Sequence, residues 1–117
     1  MIRRIGLMVM VRAVGSERFY RWLLEREGRL CGYDIAISYF DDMTTSYFNQ
    51  GTLLYVKDHT EARRKICWSH TDPVGSGFDR EHYRALYRGF DCHVSVSHAM
   101  KRKWQEFLPE YAASGRP

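Results

Sequence analysis

Short runs of strand-forming residues recur in this chain at intervals of roughly 30 residues, each separated from the next by a helix-like stretch, and that rhythm limits the fold more than any other feature. The first run, Tyr33 to Phe40, reads Tyr-Asp-Ile-Ala-Ile-Ser-Tyr-Phe. It is nearly continuous in apolar character, as a parallel strand covered on both faces would be. Lys65 to His70 is the second run and Phe90 to Val96 the third. A strand, a helix and another strand at this spacing predict βαβ units with right-handed crossovers, and hence an α/β fold built on a parallel sheet. Three strands make a small sheet for that class, so the sheet is expected to be incomplete.

The intervening stretches carry helical periodicity. Arg3 to Val14 is apolar with basic interruptions and is read as a helix that Gly15 breaks. Ser16 is expected to cap a second helix, with Phe19, Tyr20, Leu23 and Leu24 on one face and Gly28 at its end. Thr44, Thr45 and Ser46 are candidate caps for a helix through Tyr47, Phe48, Leu53 and Leu54. Asp79 opens a helix whose Tyr83, Leu86, Tyr87 and Phe90 recur at i, i+3, i+4 and i+7. Ser97 caps a last helix carrying Met100, Trp104, Phe107 and Leu108, which Pro109 bends or ends. Thr71 to Phe78, with Pro73, Gly75 and Gly77, is a loop, and Ser114 to Pro117 a tail.

Composition narrows the function. The 117 residues are 44% hydrophobic and 27% charged, the proportions of one packed domain or part of one. No run approaches the roughly 20 apolar residues of a membrane span. Arg3, Arg4 and the apolar Ile5 to Val11 resemble the start of a signal peptide, but Arg12 cuts the run short and no small-residue cleavage site follows, so this segment is read as part of the fold. Cys31, Cys67 and Cys92 are odd in number and widely spaced, which fits reduced thiols in the cytoplasm better than a disulfide framework. The net charge of +4 permits an anionic partner without requiring one. Basic clusters at Arg63 to Lys65 and Lys101 to Lys103 are ordinary solvated faces or attract an anionic surface. No nucleic-acid-binding signature, dinucleotide fingerprint, phosphate-binding loop or nucleophile elbow is present.

Open α/β sheets bind ligands outside the carboxyl ends of their strands. Three polar groups fall there: Asp41, Asp42 and Thr44; Ser69, His70, Thr71 and Asp72; and Ser97 with His98. Each can equally serve as an ordinary cap or turn residue. His70 stands out, since an imidazole at the mouth of a strand can donate to a substrate hydroxyl or phosphate, or take a proton. Asp72 could orient that ring or bind a sugar hydroxyl, and Ser97 opens a helix whose free N–H groups attract anions. Cys67, His70, Cys92 and His93 are zinc-type ligands, but strand alternation sends Cys67 and His70, and likewise Cys92 and His93, to opposite faces, so no metal site is expected.

The strand ends also carry a resemblance. Tyr33-Asp34-Ile35-Ala36-Ile37, then Lys65-Ile66-Cys67-Trp68-Ser69-His70-Thr71-Asp72, then Tyr87-Arg88-Gly89-Phe90-Asp91-Cys92-His93-Val94-Ser95-Val96-Ser97 follow in order, and Phe107-Leu108-Pro109-Glu110 closes the series. This resembles the N-terminal, acceptor-side domain of retaining, nucleotide-sugar-dependent GT-B glycosyltransferases of family 4, over about residues 16 to 111. The Trp-x-His-Thr-Asp block is the more specific part. Where the family usually has a glutamate after its Val-Ser pair, this chain has His98. The family's usual opening strand with a Gly-rich loop, and its donor domain with paired glutamates, have no counterpart here.

The resemblance implies a partial Rossmann-like domain spanning residues 1–117 that belongs to bacterial surface-polysaccharide or glycan biosynthesis. It implies His70 as the catalytic residue, with Thr71, Asp72, Ser97 and Asp41 lining the substrate cleft. No cofactor is implied, the nucleotide sugar being a substrate alongside a glycan or lipid-linked acceptor. A donor domain in cis or in trans is implied, without which the chain does not catalyse transfer. The place of work is the cytoplasm, at the inner face of the membrane. No nucleic-acid partner follows from this reading. The competing reading is a small basic α/β module that binds nucleic acid or an acidic partner through its two basic clusters.

Overall fold

The computed structural model describes residues 2–40 and 51–111. Helices α1 (Ile2–Val14) and α2 (Ser16–Glu25) lead into strand β1 (Leu30–Ser38), followed by α3 (Thr52–His59), β2 (Thr60–Ser69), α4 (Arg80–Tyr87), β3 (Cys92–Ser95) and α5 (His98–Phe107), with a short 3-10 turn at Pro109–Tyr111. The strands form one parallel sheet in the order β1-β2-β3. The chain is an α/β protein with a three-stranded parallel sheet and flanking helices, consistent with a partial Rossmann-like domain. No helix among the described residues is long and apolar enough to cross a membrane.

Strand order explains where the core lies. Both crossovers, through α3 and through α4, step the same way across the sheet, and right-handed crossovers of one direction place their helices on one face. Leu53 and Leu54 of α3, Tyr83, Leu86 and Tyr87 of α4, Trp104 and Phe107 of α5, and Phe19 and Tyr20 of α2 all join a single cluster with Cys67 of β2. Ala36 and Ser38 of β1 and Ser69 of β2 are buried on the same side. The alternate residues of β1, expected to be covered as well, are not: Tyr33, Ile35 and Ile37 are half exposed, at 51%, 54% and 50%. Thus β1 is an edge strand with one bare face, because no described helix lies on that side. The smallest dimension of the molecule, 20 Å, is that of one sheet layer plus one helix layer.

Local chemistry sets the element ends. Gly15, not Ser16, holds the cap position of α2: its φ of 85° suits glycine, and its carbonyl accepts the first helical bond from Phe19 N at 3.1 Å. The helix ends at Glu25 with Arg26 as its cap, before Gly28. β1 starts three residues ahead of the expected Tyr33 because a bulge at Gly32 (φ 84°) lets Leu30 pair with Thr60. β2 starts at Thr60 with no loop after α3, and the Thr60 hydroxyl donates to the carbonyl of Tyr55 at 3.3 Å. The caps expected at Asp79 and Ser97 are formed, accepting from His82 N at 2.7 Å and Met100 N at 3.1 Å. The candidate caps Thr44, Thr45 and Ser46 lie outside the described residues.

Since Leu53 is 1% exposed within this core, Leu53→Ala should lower stability by about 2–5 kcal/mol, whereas Val74→Ala, at a site 68% exposed, should change it by less than about 0.5 kcal/mol. Urea denaturation of the two variants measures both.

Candidate functional site

The carboxyl ends of the strands gather two different clusters, one on each side of the sheet. Alternation along β2 places Cys67 and Ser69 on the helix-covered face and Trp68 and His70 on the bare one. His70 leaves β2 exposed and meets the ring of Tyr39 edge-on at 4.8 Å and that of Phe40 at 5.8 Å. Tyr39 in turn lies 5.4 Å from Trp68, whose indole N–H is shielded from solvent and has no hydrogen-bond partner. The Ser38 hydroxyl donates to the carbonyl of Phe40 at 3.3 Å and fixes the turn that presents this pair of rings. The outcome is an imidazole framed by two exposed aromatic side chains, a surface able to stack against an apolar ring face while the imidazole reaches a hydroxyl. The sequence reading singled out His70 but missed its aromatic frame. Tyr39 and Phe40 were visible at the end of the first run, and the parity of Trp68 and His70 already placed them together.

The other expected residues are held by the scaffold. The Thr71 carbonyl accepts from Trp104 Nε1 at 3.1 Å, which ties the end of β2 to α5. One carboxylate oxygen of Asp72 accepts from Val74 N at 3.0 Å and Gly75 N at 3.1 Å, and the other from the ammonium of Lys103. The Lys103 hydrogen bond, followed by that from the Gly75 amide, holds the Asp72 carboxyl below its ordinary range. Asp72 therefore shapes the loop behind His70. A side chain in place of Gly75 would bring its Cβ within 3.1 Å of that carboxylate. Ser97 caps α5, and because Ser69 pairs with Ser95, His70 and Ser97 leave the sheet on neighbouring strands. Asp41 lies outside the described residues.

Beneath the sheet is a group that sequence reasoning considered only as a zinc ligand. His93 of β3 points into the core, where its Nε2 contacts the hydroxyl of Ser69, and Ser69 Oγ lies 3.1 Å from the Tyr87 hydroxyl. The rings of Tyr87 and Trp104 lie 4.6 Å and 4.9 Å from the imidazole. A serine on a histidine nitrogen is half of a nucleophilic pair. Ser69, however, is 0% exposed under Tyr87, so no substrate reaches its oxygen, and the trio serves to bind β2, β3 and α4 together. Burial pushes the His93 imidazole down to about 4. Cys67 and His70 face opposite sides of the sheet, and among the described residues no three His, Cys, Asp or Glu side chains converge as a metal-binding group.

A shallow pocket lies at the other end of the strands, lined by Gly32, Tyr33, Asp34, Glu61, Ala62 and Arg63. It adjoins the bulge of β1, and Asp34 there faces Arg63 at 3.7 Å with both side chains over 80% exposed. The carboxyl ends carry the stronger candidate, since a parallel sheet keeps its ligands there and His70 sits among preorganised rings. Comparison with protein-family models, curated proteins and solved structures finds no match to this chain.

Because His93 is neutral in the fold but takes up a proton when unfolded below its ordinary value of 6.5, the unfolded chain binds more protons between about pH 6.5 and pH 4. Stability should fall as pH is lowered through that window and the His93 contribution should level off below it, a loss on the order of 3 kcal/mol. Urea unfolding of wild type and His93→Gln at several pH values checks this: the variant should lose less stability across the window, and parallel curves would show that His93 does not carry the effect.

Proposed function

We propose that this chain is the acceptor-side portion of a retaining, nucleotide-sugar-dependent glycosyltransferase of the GT-B type, acting in the synthesis of a bacterial surface polysaccharide or related glycan. The observation that carries the reading is the placement of His70, from the Trp68-x-His70-Thr71-Asp72 block, at the carboxyl end of the central strand and between the rings of Tyr39 and Phe40. The order of the motifs along the chain and the parallel α/β sheet support it further.

In this reading the acceptor glycan lies over the strand ends. A sugar ring stacks on Tyr39 or Phe40, and His70 holds the hydroxyl that receives the new bond. The bond between the anomeric carbon and the diphosphate oxygen breaks as the acceptor oxygen bonds to that carbon, and the hydroxyl proton leaves with the diphosphate. Rate enhancement comes from positioning and from stabilising charge on the departing diphosphate. The second task belongs to a donor domain, in cis or in trans, and no resident metal is called for. The enzyme works in the cytoplasm, at the inner membrane face, where exposed Lys101 and Arg102 of α5 favour an anionic surface.

Titration of isotope-labelled chain with short glycan acceptors should shift the resonances of Phe40, His70 and Thr71. His70→Ala should weaken that binding at least about tenfold without moving the thermal midpoint, since the side chain is exposed. Shifts centred on Lys101 to Lys103 with RNA, and none with glycans, would instead favour a basic binding module. Incubated alone with nucleotide sugar and acceptor, the chain should form no product; sugar transfer by the lone chain would overturn the division of labour.

A further inference from the structure

The net charge of this chain belongs to one segment. Residues 1–29 hold seven arginines against three glutamates, whereas residues 30–117 hold eleven basic against eleven acidic side chains, so the whole +4 lies in α1, α2 and the turn after them. α1 has no acidic residue. Among the described residues, none of Arg3, Arg4, Arg12 and Arg18 is in a salt bridge, while Arg21 is paired with Asp58. The apolar side chains of α1 are ordered with respect to these charges. With 3.6 residues per turn, Ile5, Val9, Ala13, Gly6 and Met10 share about half the circumference of the helix. Arg3 bounds that arc on one side and Arg12 on the other, and Arg4 lies opposite. Ile5, Val9 and Met10 are 58%, 60% and 44% exposed, and the three arginines are exposed as well. α2 buries Phe19 and Tyr20 in the core and leaves Arg18 and Arg26 exposed.

We propose that α1 is a membrane-surface anchor, which lies along an anionic bilayer with Ile5, Val9 and Met10 at the boundary of the acyl chains and Arg3 and Arg12 on the lipid phosphates. An apolar arc edged by arginines fits that boundary, because the aliphatic side chains leave water while the long arginine stems carry their guanidinium groups back to the headgroups. Arg18 and Arg26 of α2 add to the attraction of the same surface. A nucleic acid would engage the arginines and leave the apolar arc in water. With 13 residues against the roughly 20 of a span, α1 lies on a bilayer and does not cross it. The basis is α1 and α2 and not the glycan chemistry of His70, so vesicle binding and glycan binding are tested apart.

The test is cosedimentation of the purified chain with lipid vesicles. The chain should bind vesicles of mixed phosphatidylglycerol and phosphatidylcholine, leave vesicles of phosphatidylcholine alone, and bind less as salt is raised. Val9→Glu puts a charge in the middle of the apolar arc, and the double variant Arg3→Glu with Arg12→Glu reverses its edges. Both alter exposed side chains, so each should keep the circular dichroism and thermal midpoint of the wild type and bind the anionic vesicles at least about tenfold more weakly. Equal binding to the two kinds of vesicle, or none to either, would overturn the proposal, as would retention of RNA by a chain that leaves the vesicles alone. Weakening by the arginine reversal with Val9→Glu binding as wild type does would overturn the seating of the apolar arc. Binding that both variants leave intact and that Lys101→Glu with Arg102→Glu abolishes would place the contact on α5 and overturn the assignment of α1.

Discussion

Two successive crossovers that step the same way across a parallel sheet must lay their helices on the same face. In this chain that constraint decides which half of each strand is core and which is surface. Ala36, Ser38, Cys67 and Ser69 are buried beneath α3, α4 and α5, while Tyr33, Ile35 and Ile37 are each about half exposed. The aromatic packing of Tyr83, Tyr87, Trp104 and Phe107 fills the covered side. The buried Ser69–His93–Tyr87 trio fastens the strands beneath it at the point where they pass to the loops. Both the candidate site and the half-exposed face of β1 follow from this one-sidedness of the described helices.

The loop after β2 fastens the two residues that follow His70 to the scaffold. Thr71 and Asp72 are drawn toward α5 by Trp104 and Lys103, and Asp72 also closes the turn at Val74 and Gly75. With those groups engaged on the α5 side, His70 is left on the opposite side of the sheet with Tyr39 and Phe40. The ring contacts with Tyr39 and Phe40 help to fix the orientation of the imidazole. The ion pair of Asp72 with Lys103 therefore lies apart from the His70 imidazole.

Much of this was legible in the sequence. The spacing of three strand-like runs identified the parallel α/β class, and the side-chain oxygens of Asp79 and Ser97 marked helix starts that the fold uses. Strand parity was enough to separate Cys67 from His70. What the sequence hid has physical causes. Tyr33 to Phe40 is as apolar as a strand buried on both faces, and only the strand order reveals that β1 is an edge. Thr60 to Arg64 is too polar to read as a strand, yet it pairs with the start of β1 through the bulge at Gly32. Asp72 has the chemistry of a ligand-binding carboxylate, and its use in the loop depends on Lys103, 31 residues away. The inward turn of His93 followed from the same parity argument once Ser69 was placed on the covered face.

The most direct test of the account is a crystal structure of the chain with a short acceptor glycan bound. The account predicts a sugar ring against Tyr39 or Phe40, with a hydroxyl within about 3 Å of the His70 imidazole. A glycan seated instead at the opposite strand ends, between Gly32 and Arg63, would contradict it and remove His70 from the site.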